Sequence, residues 1–341
     1  MRTGDTGQEM AMIALRASSD VVTRGLRSDD DFEAVAAITD ACRIADGYDT
    51  ARTADQFRAA VAMWRGFDPA EGVRLAVDEG QVVGFAFGVC DGDSPDTGRI
   101  LYHAGGVLPA WRGRGIGRRL LAEAQVAARR HAARRPGPVP QTTVYRAFVG
   151  ESDIDSRRLL EADGYEIVRY GYSMVRQTLA DPPSADLPPG LEARPATPAN
   201  AMQIARAMAE AFADHWGFPE YSDDELAGMV AHPLWGQLDV WQVAWDGDEV
   251  AGGVLGFINH EENLQLGRAR GYTECIFTRR PWRGRGLATA LIGRNLRLLA
   301  ERGMTEAALS VDAQNQTGAL ALYEAVGFER VRTDLFYQRP V

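Results

Sequence analysis

Arg283-Gly284-Arg285-Gly286 separates the apolar run "GYTECIFT" from an amphipathic, proline-free stretch. A helix N-terminus leaves backbone N–H groups without partners and carries partial positive charge. Glycines at that point let an anion reach the bare backbone, so the turn is suited to holding phosphate. The same string stands 171 residues earlier, as Arg112-Gly113-Arg114-Gly115 with Gly117 behind it. Two side chains near the second copy could move a proton. Glu274 lies nine residues before Arg283, and Tyr323 lies in a later helical stretch.

The phosphate is not that of a dinucleotide by this reading. The first copy is GxGxG rather than GxGxxG, and no ribose-binding acid follows at the next strand end. The chain contains no lysine, since all 37 basic residues are arginine. That excludes a Walker A loop, Schiff-base chemistry and Ser-Lys dyads. It also resembles the usage of a high-GC bacterial genome.

The elements that must position these residues occur twice. At 341 residues the chain has room for two domains, each with its own core. "TLADPPSADLPPG", Thr178 to Gly190, holds four prolines and no apolar period, and reads as a linker. On either side runs the same order. A short strand (Val21–Arg27; Leu191–Pro195) leads to a helix (Asp31–Cys42; Pro198–Ala213) and a second helical patch (Ala54–Trp64; Asp223–Ala231). A hairpin follows, turned by "DEG" or "DGDE". Then come a strand, the Gly-Arg-Gly helix, a strand, a short helix ending in "DGY" or "VGF", and a terminal hairpin. The expected divisions are a disordered lead-in over 1–20, a first module over 21–177, the linker over 178–190 and a second module over 191–341.

The net charge of −10 argues against general nucleic-acid binding and suits a cationic small substrate. No apolar run has a membrane-spanning length, and "MRTGDTGQEMAMIAL" lacks the basic start of a signal peptide. Cys42, Cys90 and Cys275 are far apart and outside CxxC spacing, so neither a disulfide framework nor a metal site is expected, and a reducing cytoplasm is.

Arg283-x-x-Gly286-x-Ala288 after an apolar strand resembles the acyl-CoA pyrophosphate motif of the GNAT superfamily of N-acyltransferases, and Arg112-x-x-Gly115-x-Gly117 resembles it equally. Downstream, Asn315, Tyr323 and Gly327-Phe328 fall at that family's spacing, and the likeness covers residues 20–340 as two modules. The resemblance implies an α/β (α+β) fold of two modules, each a mixed, mostly antiparallel sheet flanked by helices. It implies acetyl-CoA and a primary amine that attacks the thioester directly. Gly284, Arg285, Leu287 and Ala288 would hold coenzyme with Arg283 and Gly286, and Ile276, Phe277 and Thr278 would pair with the pantetheine arm. The first copy offers Gly105, Gly106, Val107, Arg112, Gly113, Arg114, Gly115, Ile116 and Gly117.

Glu274 is the candidate base, placed by strand alternation on the face of Tyr272 and Ile276; the competing reading is a strand-edge charge. Tyr323 is the candidate acid for the departing thiolate, against a tyrosine that merely packs. Asn315 is a candidate coenzyme contact, and "NQTG" also reads as an N-cap. His215, Trp216, Tyr221 and Tyr272 are acceptor-pocket candidates, with interdomain packing the alternative for "ADHWGFPEYSDDE". His232 and Trp235 belong with them. His260 and His131 read as solvated loop and helix-end residues.

In the first copy Leu160 stands opposite Tyr323, Ser152 opposite Asn315 and His103 opposite Glu274. Leucine cannot protonate a thiolate, so catalysis is expected in the second half alone. Two other classes stay open: a non-catalytic acyl-CoA-binding or sensing protein, and transfer of another acyl group. The partner expected is a small-molecule amine, with no nucleic acid or membrane, and with monomer and homodimer both open.

Overall fold

The computed structural model describes residues 21–135, 140–315 and 318–341; the expected lead-in over 1–20 lies outside the described residues. The first half comprises β1 (Val22–Gly25), α1 (Asp29–Asp46), α2 (Ala54–Met63), α3 (Pro69–Gly72), β2 (Val73–Asp78), β3 (Gln81–Ser94), β4 (Gly98–Val107), α4 (Ile116–Ala133), β5 (Thr143–Gly150), α5 (Ile154–Ala162) and β6 (Glu166–Arg176). The second comprises β7 (Glu192–Arg194), α6 (Ala201–Phe212), α7 (Asp223–Ala231), β8 (Gln242–Asp246), β9 (Glu249–Val254), β10 (Phe257–Ile258), α8 (His260–Leu266), β11 (Arg270–Tyr272), β12 (Phe277–Thr278), α9 (Leu287–Glu301), β13 (Glu306–Asp312), α10 (Ala319–Ala325) and β14 (Glu329–Pro340).

Local chemistry accounts for the boundaries. Helix α1 starts at a Ser28/Asp31 capping box with three aspartates in its first turn, and Gly47 closes it at φ 76°. A Ser222/Glu225 box starts α7 in the same way. Glu79 and Gly80, both at positive φ, turn β2 into β3. Along α9, Leu291, Ile292, Leu296 and Leu299 are buried, and Leu298 packs at the margin of that core.

One helix departs from expectation. The "NHEENLQLG" segment, read as a solvated loop, forms α8, where the Asn259 side chain accepts from the Glu262 N–H and Gly267 ends the turn at φ 63°. His260 heads this helix and is exposed.

The largest departure is at the ends of the halves, where hairpins were expected. Each terminus is a single long strand, and the two halves exchange them. The sheet order is β1-β2-β3-β4-β5-β14-β6-β13-β11-β10, with a second sheet β12-β9-β8-β7. Strand β14 pairs antiparallel with β5 of the first half, β6 pairs antiparallel with β13 of the second, and β6 and β14 pair with each other. The side chains follow the strands. Leu335 and Tyr337 enter a core with Tyr145, Val149, Leu160 and Tyr165, while Met174 and Leu179 enter the core around α9. Hydrophobic alternation along a strand reports a buried face but not the strand that lies beside it, which is why the exchange is invisible in the sequence.

The proline-rich segment between the halves is irregular and packed down. Leu179 is buried, Leu187 lies against the core of the second half, and the Pro183 carbonyl accepts from Arg297. No helix among the described residues is long and apolar enough to cross a membrane.

Exchange makes each half depend on the other. Residues 191–341 expressed alone would leave one edge of β13 and both edges of β14 without their partners, a template for aggregation. We expect that fragment to be insoluble or to swap strands with its own copies. Co-expression with residues 21–177 should restore a soluble, folded pair, read by size-exclusion chromatography and circular dichroism.

Candidate active site

Both Arg-Gly-Arg-Gly loops are built alike. A 3₁₀ turn, Pro109–Trp111 or Arg280–Trp282, precedes the Arg-Gly-Arg-Gly string. Gly113 and Gly115 have φ of 75° and 81°, and Gly284 and Gly286 have 72° and 83°. At none of the four would a Cβ meet another atom within 4 Å. Gly115 and Gly286 occupy the N-cap positions of α4 and α9, and neither helix end is capped by a side chain. Two sets of first-turn N–H groups thus face open space. Buried Ile116 and Leu287 anchor the two helices behind them, and Gly117 and Ala288 follow.

The two leading arginines hold the loops in place. Arg112 Nε donates to the Val107 carbonyl, and Arg283 Nε donates to the equivalent Thr278 carbonyl. Arg112 also forms a bidentate pair with Asp46 at the end of α1 (2.6 and 2.7 Å). Arg283 reaches the Ala211 carbonyl and lies 3.5 Å from Asp214. Arg114 stacks over Trp111, while Arg285 is exposed.

Next to each loop two parallel strands part. Pairing of β11 with β13 ends at Tyr272 and Ala308, beyond which β12 pairs only with β9 on its other side. Between them the chain kinks at Cys275, whose φ is 44°. This kink breaks the strand that the sequence suggested was continuous, so simple alternation of Tyr272, Glu274 and Ile276 fails. Among the described residues the edge of Ile276, Phe277 and Thr278 that faces away from β9 has no ladder partner, though the Thr278 carbonyl accepts from Arg283, and Thr278 Oγ1 is buried with no hydrogen bond. An extended chain with amide groups and a terminal diphosphate, as in coenzyme A, fits an unpaired strand edge that runs into an uncapped helix N-terminus.

The first half has the same parting, since β4 and β5 pair only as far as Tyr102 and Arg146. It opens a cleft of about 800 Å³ lined by Gly105, Gly106, Val107, Gly115, His103 and Leu160. His103 is buried and its Nε2 lies 2.7 Å from the Tyr165 hydroxyl. Burial pushes the imidazole down to about 4, with Arg339 adding to the effect against Asp163, so it is neutral at pH 7. Ser152, opposite Asn315, donates to the Asp46 carbonyl.

In the second half the proton-handling candidates come together. Burial pushes the Glu274 carboxyl up to about 8, against hydrogen bonds from Ser310 on β13. Burial also raises the neighbouring Cys275 thiol to about 12. The buried Tyr323 ring packs edge-on to Phe328, and its phenol is raised by burial and by the fields of Glu274 and Cys275. Its proton is therefore retained across the physiological range. Asn315 precedes α10 but does not cap it; the cap residue is Gly318, in place of the expected N-cap asparagine.

Ladder partners share a face, and one face of the joined sheet forms a floor leading away from Glu274. Ser310 pairs with Ser173, Asp312 with Gly171, Phe336 with Phe148 and Arg169, and Gln338 with Arg146. Arg169 forms a bidentate pair with Asp312 across the two halves. Trp216 lies between the Arg146 and Arg169 guanidiniums, 4.6 and 5.0 Å from its ring, and beside Phe336. His215 packs on Phe212, and Tyr221 on Phe218. The loop carrying them thus packs between the halves and borders the floor. Tyr272 stacks on Phe257 and donates its hydroxyl to Glu262, and Trp235 packs on the other end of that stack. His232 is buried and its Nδ1 accepts from the Leu234 and Trp235 N–H groups, while His131 accepts from Cys90 and contacts the Arg65 carbonyl rather than standing free in solvent. Arg146, Arg169 and Asp312 carried no signal in sequence, because only the strand exchange brings them to this floor.

Gly286 offers a direct test of the loop. Valine there must hold φ near 83°, which costs a β-branched residue at least ~1–2 kcal/mol, and its branches would enter the anion cradle. With acetyl-CoA as the coenzyme that the resemblance implies, we expect Gly286→Val to raise its KM about tenfold or more while kcat at saturation changes little, measured by steady-state thiol release.

Comparison with known proteins agrees with this geometry. The model of the acetyltransferase (GNAT) family matches residues 202–328, and that of an acetyltransferase (GNAT) domain matches residues 69–165. The chain is 27% identical to the mycothiol acetyltransferase of Thermobispora bispora, over 91% of this chain and 96% of that protein. It is 32% identical to the one from Clavibacter michiganensis, over 68% of this chain and 70% of the relative. Among solved structures, a GCN5-related N-acetyltransferase from Sphaerobacter thermophilus superposes with a TM-score of 0.72 at 25% identity, covering 95% of this chain and 96% of that one. A tandem GNAT protein from the clavulanic acid biosynthesis pathway shares the fold at a TM-score of 0.64 and 19% identity, covering 94% and 98%.

Proposed function

The chain belongs to the GNAT acetyltransferase family as a tandem N-acetyltransferase that uses acetyl-CoA, and on that premise we propose that its second half acetylates the primary amine of a small, cationic acceptor. The observation that carries this reading is the convergence of Glu274 and Tyr323 beside an unpaired strand edge that runs into the open N-terminus of α9. In this reading residues 191–341 are the catalytic module and 21–177 a module that keeps a coenzyme cleft without a proton donor.

Bound acetyl-CoA supplies the thioester carbonyl that the amine attacks. The N–H groups at Gly284, Gly286 and the first turn of α9 hold the diphosphate, with Arg285 beside them, and Ile276, Phe277 and Thr278 hold the pantetheine arm. Glu274, in its ionised form, takes the proton that the amine sheds. The buried Tyr323 phenol donates to the departing sulfur. Cys275 keeps its proton at any working pH, which favours direct attack over a cysteine-bound acyl group.

In the first half, Leu160 lines the cleft where Tyr323 would stand, and His103 is neutral and bound to Tyr165. That supports coenzyme binding there through Gly105–Val107 and the Arg112–Gly117 loop, with no turnover. The free cysteines of the whole chain, Cys42, Cys90 and Cys275, suit a reducing cytoplasm. From the mycothiol acetyltransferases we carry over the reaction class alone. The deciding experiment is an acceptor screen with thiol-release detection, run with acetyl-, propionyl- and succinyl-CoA. Release with acetyl-CoA that depends on an amine supports the reading. Preference for another thioester points to a different acyl group, and binding without release across the panel would leave a sensing protein.

A further inference from the structure

The β4–β5 ladder ends at Tyr102 and Arg146, so His103 is the first residue of β4 inside the parting of the first half. It lines the cleft of about 800 Å³ together with Leu160, and Gly105–Val107 lead from it along β4 toward the Arg112–Gly115 loop. The residue is 4% exposed. Buried ring nitrogens need partners, and the hydrogen bonds around the ring decide which nitrogen carries the proton.

A chain of contacts settles that choice, and it starts in the other half. Arg339, on the exchanged strand β14, pairs with Asp163 at 3.0 Å. The Asp163 carboxylate accepts from Gln125 of α4 at 2.8 Å, which fixes the Gln125 amide with its nitrogen on this side. The same nitrogen lies 3.1 Å from the Tyr165 hydroxyl. An amide nitrogen only donates, so the Tyr165 oxygen accepts there and its single hydrogen goes to His103 Nε2, 2.7 Å away. Burial lowers the imidazole to about 4, so the ring is neutral at pH 7. A neutral ring that accepts at Nε2 carries its hydrogen on Nδ1.

Nδ1 is therefore a donor, and among the described residues no hydrogen bond ends on it. Tyr165 stands edge-on against the ring at 5.5 Å, on the side of Nε2, and the opening that remains is the cleft. The second half has a carboxyl at the matching position, which can take up a proton. The first half has a ring whose acceptor atom is occupied by Tyr165 and whose other nitrogen can only give a hydrogen bond. Such a ring is no base, but it can hold an oxygen. A coenzyme whose diphosphate lies at the Arg112–Gly115 loop brings its thioester to the far end of the cleft, where His103 and Leu160 stand. The acyl carbonyl is the oxygen that arrives there.

We propose that His103 Nδ1–H donates to the thioester carbonyl of a coenzyme held in the first half, so that this cleft selects acyl-CoA over coenzyme without an acyl carbonyl. This rests on the coenzyme binding proposed above for that half and gives it a selectivity: the site reads the acyl group and does not transfer it. Because Arg339 lies on β14, the second half's exchanged strand helps to set the tautomer that does the reading.

The test compares acetyl-CoA with S-ethyl-CoA, a thioether with the same carbon chain and no carbonyl oxygen. Full-length protein labelled with nitrogen-15 in its tryptophan indoles carries a reporter on the turn before each loop, Trp111 in the first half and Trp282 in the second. One NMR titration then reads the two sites separately. At Trp111 the parent should bind acetyl-CoA about tenfold more tightly than S-ethyl-CoA, because the thioether leaves a buried donor unpaired. His103→Phe should bring that ratio below about twofold, with the affinities read at Trp282 unchanged. In the ligand-free parent labelled at histidine, the His103 ring should show its hydrogen on Nδ1 and a bare Nε2. Equal affinities at Trp111, a ratio that survives in His103→Phe, or a hydrogen on Nε2 would overturn the proposal and leave coenzyme binding in the first half standing. No response at Trp111 to either probe, with Trp282 responding, would overturn both. Should His103→Phe fail to fold in circular dichroism, the parent's ratio and tautomer decide.

Discussion

Tyr323→Phe is expected to lower kcat by about 10²–10³-fold and to leave the KM for acetyl-CoA within about twofold. A positioned general acid or base contributes about 10²–10⁴-fold, and a thiolate is a tolerable leaving group, so the lower part of that range applies. The ring is buried in the core around α9 and beside Phe328, and phenylalanine preserves that packing. Loss of the hydroxyl should therefore not lower the thermal midpoint, which separates a chemical effect from an unfolding one. Burial and the neighbouring Glu274 and Cys275 hold the phenol protonated, so the parent's activity should not fall through loss of this proton before strongly alkaline pH. An unchanged kcat would remove Tyr323 from the chemistry and return it to a packing role. The matching change in the first half, Leu160→Tyr, should gain nothing, because His103 there is neutral and committed to Tyr165.

What the sequence made legible was local. The tight turns and the amphipathic helix behind the second glycine loop are encoded within a few residues of where they act, and they fall where expected; the capping boxes of α1 and α7 are as local but were not read. The backbone of the Arg-Gly-Arg-Gly loops was legible for the same reason: glycine spacing ahead of a helix states its own geometry. Helix α8 was readable in principle, since Asn259 and Glu262 stand at capping distance, but its short length gave no apolar period to support it. The kink at Cys275 was not readable, because a non-glycine residue at positive φ has no compositional mark. Nor was the exchange of β6 and β14. Its consequence for function is the larger one, since it joins Arg169 of one half to Asp312 of the other and sets Ser173 opposite Ser310. The tandem repeat is then more than duplication. A single half ends at a sheet edge, and the other half supplies the next strand of the floor that leads from Glu274.

Glu274→Gln tests the base and has a pH signature of its own. The folded carboxyl titrates near 8, so at pH 7 most molecules hold it protonated and unable to accept a proton. The base form grows as pH rises, and kcat should climb about tenfold per unit below pH 8 before levelling off. Free amine titration affects kcat/KM as well, which is why kcat, the parameter of the bound complex, is the one to follow. Glutamine copies the protonated acid, including its contact with Ser310, and cannot change charge. The variant should run about 10²-fold below the parent at pH 9, approach it at pH 6, and show no limb near 8. Stability gives an independent sign. A carboxyl raised above its unfolded value near 4.5 makes the folded state bind the extra proton, so the parent loses stability as pH rises from that value through 8. Glutamine has no such slope. Thermal midpoints of parent and variant should coincide near pH 5 and separate by pH 9, with the variant the more stable. A parent whose rate limb lies near 8 but whose midpoint tracks that of the variant would assign the limb to another group, and the amine's proton would then need a different acceptor.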